Sequence, residues 1–233
     1  MHKVGYLGLC LIVIVGCVPR PPVKLPPVVE GWHQPSAQKN AYIVQKKDTL
    51  YSIAWAFGLD YRDLAARNNI APPYTLRYGQ RLYIAAAPTA KHQFSSSALL
   101  THARTKIKTL SGWLWPAHGV VVAKFNNKLG GNKGIEIKGD YGSAVIASNA
   151  GQVVYSGAGI RSYGNLLIIK HNDDYLSAYA YNKNMLVHEG QEVSAGQKIA
   201  TMGYNDAGEV RLHFEVRRAG KPVDPLLYLP KST

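Results

Sequence analysis

The sequence predicts a mainly β protein that carries one small α+β module ahead of a larger β domain. Two observations lead there. From Trp113 to Pro230, short apolar or alternating runs recur between glycine turns: AVIAS, GQVVYSG, NLLIIKH, YLSAYAY, QKIATMG and RLHFEVR, with no sustained helical period. Residues 41–85 instead alternate in the order strand, helix, helix, strand, a complete α+β unit in itself. The segments outside these two blocks show neither pattern, so two folded units separated by a linker are expected.

Within the module, Tyr42 to Gln45 reads as a short strand. Asp48 or Thr49 caps a helix whose apolar residues Leu50, Ile53, Ala54 and Phe57 follow helical spacing, and Gly58 ends it. Asp60 caps a second helix with Leu64 and Ala65, Pro72-Pro73 break the chain, and GQRLYI closes the unit as a strand. In the large domain, AGQVV at 150–154 and AGQKI at 195–199 repeat a turn-then-strand pattern, and the recurring short strands predict a β-sandwich. Its last strand, RLHFEVR, puts Val210, Leu212, Phe214 and Val216 on one face and Arg211, His213, Glu215 and Arg217 on the other. The apolar face must be core, so His213 is expected on a polar surface or in a cleft.

With 27 Lys and Arg against 14 Asp and Glu, the net charge of +13 favours anionic partners. Nucleic acid, anionic lipid and acidic polymer all satisfy that charge, and the N-terminus narrows the choice. Lys3 is followed by an apolar run from Val4 to Val15, too short for the roughly 20 residues of a bilayer-spanning helix. A basic start and a short apolar core describe a secretory signal over residues 1–17. Its end, Ile14-Val15-Gly16-Cys17, resembles a bacterial lipobox, with Ile14 and Val15 in place of the usual leucine and small residue. That resemblance implies lipidation of Cys17. Val18, rather than an aspartate, follows, which implies the outer membrane. Cys10 falls within the signal, so the mature chain is expected to hold no disulfide and no cysteine metal ligand. An extracytoplasmic chain points to cell-wall material rather than nucleic acid. Residues 18–40 are proline-rich and predict an extended tether; residues 86–112, rich in Ala, Ser, Thr and Lys, predict a linker with partial helix.

The module resembles LysM, a family that binds the N-acetylglucosamine chains of peptidoglycan and chitin. The matching residues are Asp48-Thr49-Leu50, Ile53-Ala54, Gly58, Leu64, Asn68-Asn69-Ile70 and Gly79-Gln80-x-Leu82, with Lys47 where the family usually has glycine. The resemblance implies that sugar is gripped between Asp48, Thr49 and Leu50 on one side and Asn69 and Ile70 on the other. Asp48 and Thr49 also suit a purely capping role.

GNKGIEI, YGNLLIIKH, YLSAYAYN, GQKIATMG and RLHFEVR, in this order, are similar to the LytM (lysostaphin-like) zinc endopeptidases over residues 113–231. By that resemblance the first metal ligand becomes Asn132, the aspartate ligand Glu136, an assisting histidine Tyr181 and another Arg211; only His213 survives. Catalytic zinc takes three protein ligands and leaves one position open. A neutral amide is a poor ligand, and a guanidinium about 7 Å from Zn²⁺ at an effective dielectric of about 20 repels it by about 5 kcal/mol. His171 lies on another strand and is expected to be structural; His118 and His188 adjoin turn glycines and are expected in solvent.

No metal and no cofactor are therefore expected. The chain looks like the lipoprotein activators of N-acetylmuramyl-L-alanine amidases, which join LysM to a degenerate LytM domain. That resemblance implies a non-catalytic regulator active in wall remodelling and daughter-cell separation. LysM would hold it on glycan strands, and the vacant groove of Asn132, Glu136, Tyr181, Arg211 and His213 would engage a periplasmic zinc amidase. Tyr181 offers aromatic area and Arg211 a cation for a partner carboxylate. A divergent zinc endopeptidase that cuts peptide crosslinks, and a plain tether between outer membrane and wall, remain open alternatives at this point.

Overall fold

A computed structural model describes residues 40–84, 112–128 and 130–231. The signal with Cys17, the tether up to residue 39 and the linker up to residue 111 lie outside the described residues.

The small module has the expected order: β1 (Ala41–Ile43), α1 (Leu50–Phe57), α2 (Tyr61–Arg67) and β2 (Arg81–Tyr83). Thr49 caps α1 reciprocally with Ser52, each side chain accepting the other's backbone N–H, and Gly58 closes the helix at φ 64°. The Asp60 carboxylate accepts the Arg62 N–H to start α2. Asn68 then ties α2 to β2: its amide donates to the carbonyls of Leu64 and Tyr83 and accepts the Tyr83 N–H. β1 and β2 pair antiparallel, so both ends of the module meet.

The large domain contains β3 (Val120–Ala123), β4 (Ile135–Lys138), β5 (Ala144–Ile146), β6 (Gly151–Gly157), β7 (Asn165–Lys170), β8 (Tyr175–Met185), β9 (Glu192–Val193), β10 (Lys198–Met202), β11 (Arg211–Arg218) and β12 (Lys221–Val223). A 3-10 turn at Pro225–Leu227 is the one helical element described there. All pairings are antiparallel, and the main path runs β3-β4-β11-β8-β7-β6-β9. The two layers are one hydrogen-bonded sheet. The long strand β8 pairs β11 and β7 along Tyr175–Asn182, then turns to pair β10, which pairs β5. Leu212, Phe214 and Val216 fill the space between the layers with Tyr179, Ile135, Ile137, Val145 and Ile199. Burial of each such large side chain contributes roughly 1.5–3 kcal/mol.

The opposite face of this sheet is not open. The module's Leu50, Ile53, Trp55 and Tyr61 share a single apolar cluster with Val154, Tyr155, Leu166, Ile168, Leu176, Ala178 and Ala180 of the sheet. Leu50, Ser52, Ile53, Ala54 and Trp55 are all buried, so α1 meets the module's own core on one side and the sheet on the other. Polar contacts fix the docking. Thr49 Oγ1 donates to the Val154 carbonyl at 3.2 Å, Arg217 Nη1 donates to the Trp55 carbonyl at 2.8 Å, and the Arg217 guanidinium lies 3.5 Å from the Trp55 ring centroid. Gly220, in the β11–β12 turn, sits so close that an added Cβ would stand 2.5 Å from the Asp60 nitrogen.

Candidate functional site

The groove residues named from the sequence converge around β11. β4 pairs β11 with His213 directly opposite Glu136, and close approach at Gly134 makes that pairing possible: a Cβ there would stand 2.1 Å from the Phe214 carbonyl oxygen. Tyr181 sits where β8 turns from one partner strand to the next, in the left-handed region at φ 62°. That kink leaves its ring edge-on to His213, with centroids 6.2 Å apart, and its hydroxyl donating to the Ser162 carbonyl.

Both ring nitrogens of His213 are occupied. Nδ1 lies 2.7 Å from Glu136 Oε1 and Nε2 lies 3.0 Å from Glu215 Oε1. The second carboxylate also accepts the Tyr163 hydroxyl at 2.7 Å and the Arg217 Nε–H at 3.0 Å. A row thus runs Glu136, His213, Glu215, Arg217 and on to the Trp55 carbonyl, with acid and base alternating. Burial works against a charged His213, but the bonds to Glu136 and Glu215 outweigh it and bring the imidazole up to about 9. Burial likewise opposes ionisation of Glu215, yet Arg217 and His213 hold its carboxyl below the usual range.

This geometry corrects the expectation that His213 lies on a polar surface or in a cleft. His213 is 8 % exposed, Glu215 0 % and Arg217 4 %, because docked α1 covers that end. What stays accessible is the upper end, where Asn132, Glu136, Tyr181 and Arg211 are half-buried.

The other groove residues are also committed. Asn132 Oδ1 accepts the Gly134 N–H at 3.3 Å and so turns the chain into β4. Arg211 Nη2 pairs with Glu209 Oε1 at 2.7 Å, which leans its charge towards the preceding loop. Three polar atoms here, Asn132 Nδ2, Glu136 Oε2 and Arg211 Nε, are buried with no hydrogen-bond partner in the chain.

These residues do not fit a catalytic zinc. Both nitrogens of His213 are engaged by carboxylates, and the Asn132 amide oxygen, a neutral donor, is already engaged by the Gly134 N–H. Among the described residues, no group of three or more His, Cys, Asp or Glu is arranged to hold a metal ion.

Among the described residues, the other three histidines fall where the sequence places them. His171 bridges the Ala150 carbonyl and the Ser177 hydroxyl, both at 2.7 Å, and burial brings it down to about 4, a neutral structural residue. His118 and His188 are exposed.

In the module, the two expected glycan-binding edges differ. Asn69 is exposed and Ile70 half-buried, and both line a shallow concavity of about 690 Å³ with Arg77 and Tyr78. Asp48 accepts from the Tyr42 hydroxyl and the Gln45 N–H, Thr49 is bonded to the sheet, and the Leu50 side chain is 1 % exposed in the core.

Comparison with known proteins agrees with this two-part architecture. Residues 42–85 match the LysM domain, and residues 130–225 match Peptidase family M23. A Pseudomonas aeruginosa protein named Lipoprotein NlpD/LppB homolog is 40% identical over 262 residues, covering 94% of this chain and 88% of that one. The chain belongs to the NlpD/LppB family. Another member of that group, the Murein hydrolase activator NlpD of Escherichia coli, is 41% identical over 258 residues, covering 82% of this chain and 68% of its own. The Uncharacterized lipoprotein YgeR of the same organism is 43% identical over 204 residues, covering 82% and 81%. This NlpD/LppB chain therefore pairs LysM with an M23-type domain whose remaining histidine is held between two carboxylates.

Glu215, Arg217, Tyr163 and Trp55 escaped the reading of the sequence as site residues. Alternation along β11 did put Glu215 and Arg217 on the face of His213; the cover supplied by Trp55, more than 150 positions away, left no local signal.

Proposed function

We propose that this chain is a non-catalytic activator of peptidoglycan amidases, held on the wall by its LysM module. The observation that carries this reading is the double engagement of His213 by Glu136 and Glu215, which occupies both nitrogens of the surviving histidine beside the half-buried Tyr181 and Arg211. Such a surface suits a polypeptide segment: the Arg211 guanidinium suits a partner carboxylate, and Tyr181 supplies a rigid aromatic wall. An Escherichia coli relative named as a murein hydrolase activator supports this assignment over a divergent endopeptidase.

Asp48, Thr49, Asn69 and Ile70, with the Leu50 backbone, are proposed to hold N-acetylglucosamine strands. Cys17 is proposed to carry a lipid that anchors the chain in the outer membrane facing the periplasm, with enrichment at the division site. Relatives bearing the word lipoprotein in their names support the anchor. The test is amidase turnover on purified peptidoglycan with and without the chain. Faster release of stem peptides supports activation, and unchanged turnover leaves only the tether.

A further inference from the structure

The loop between β1 and α1 meets two demands at once. It carries Asp48 and Thr49, one of the two edges assigned above to glycan. The same edge is pressed against the large domain: Thr49 Oγ1 donates to the Val154 carbonyl, and burial, with smaller contributions from the Asp48 and Glu189 charges, pushes the Tyr155 hydroxyl up to about 12. The Asn69 edge opens to solvent on the concavity described above. Asp48 and Thr49 are half-buried in this contact, and a sugar strand that uses the Thr49 hydroxyl competes with its bond to the Val154 carbonyl. At the far end of α1, Arg217 binds the Trp55 carbonyl and stacks on the Trp55 ring, so the same docking seals the Glu215 end of the His213 row.

We infer that the LysM module is a cover operated by glycan: seated on the sheet it withholds its Asp48–Thr49 edge, and an N-acetylglucosamine strand that takes this edge lifts the module from the sheet. The inference rests on the glycan-binding reading above and adds that binding and docking exclude each other. Coupling of this kind is reciprocal, so docking weakens glycan binding by the factor by which glycan weakens docking. Lifting uncovers Leu166, Ile168 and Ala178 and opens the Glu215–Arg217 end of the row to solvent. Wall contact would in this way enlarge the face beside the groove.

The fold supplies a wedge for the test. Any side chain at Gly220 meets the Asp60 backbone, and asparagine accepts the local φ of 75° better than most residues. Gly220→Asn therefore separates the two units, while Gly190→Asn, at φ 83° with nothing within 4 Å, controls for backbone strain. Ala178→Arg, which places a long cation in the buried contact, is a second and independent wedge. The probe is the soluble N-acetylglucosamine hexamer, with affinity read by calorimetry and domain separation by X-ray scattering on the full chain. Both wedge variants are expected to be more extended and to bind the hexamer about tenfold tighter than the wild type and the control, as for a site that is about 90 % withheld. Saturating hexamer is expected to extend the wild type. If an extended wedge variant binds with wild-type affinity, or the wild type binds without extending, exclusion is overturned while glycan binding stands. If no form binds the hexamer, extended ones included, the glycan-binding reading falls and the cover falls with it. Should Gly220→Asn fail to fold, Ala178→Arg and the wild-type scattering decide.

Discussion

Replacing His213 by glutamine tests the row of alternating charges through its pH dependence. The imidazole moves from 6.5 to about 9 on folding, and each pH unit of such a shift is worth about 1.4 kcal/mol, so the protonated form contributes about 3 kcal/mol. A raised folded value means that this stability is fully present below the unfolded value of 6.5 and is lost as pH rises through about 9. His213 is only 8 % exposed, so salt screens little of it. Urea unfolding of wild type and His213→Gln, compared at each pH from about 6 to about 10, removes titrations common to both. The gap between them should be widest at the acid end and shrink by about 3 kcal/mol across that window, most of the fall lying above neutrality. A gap that stays constant with pH would refute a charged imidazole between two carboxylates.

Three further outcomes follow from the same geometry. Arg211→Ala should weaken amidase activation while leaving urea stability within about 1 kcal/mol, because the Arg211–Glu209 pair is partly exposed. Arg217→Ala leaves Glu215 buried without its guanidinium, and chemical denaturation should show a loss of about 3–5 kcal/mol. Gly134→Ala drives a methyl group into the Phe214 carbonyl; separation of β4 from β11 should cost at least about 1–3 kcal/mol and abolish activation, both measurable on the purified protein.

Much of the fold was legible because its signals are local. Thr49, Gly58 and Asp60 punctuate the module through capping chemistry, which acts within a few residues, and the alternation of RLHFEVR identifies the core face of β11, although its polar face is buried as well. The pairing of Glu136 with His213 was foreshadowed only through resemblance, since register across 77 positions has no local signature. The cover over Glu215 and Arg217 was not legible at all. Leu50, Ile53, Ala54 and Phe57 already account for one apolar face of α1, and nothing in the sequence says that Trp55, on the other, meets a guanidinium from the distant sheet. For the same reason Thr49 read as a cap with a possible sugar role, and its bond to Val154 emerged only from the packing of the two units.

The most direct test of a non-catalytic activator compares three reactions on purified peptidoglycan: the zinc-supplemented chain alone, a periplasmic amidase alone, and the two together. Soluble products should be absent with the chain alone and should rise in the mixture above the level given by the amidase. Cleaved peptide crosslinks released by the chain alone in a zinc-dependent manner would contradict the account.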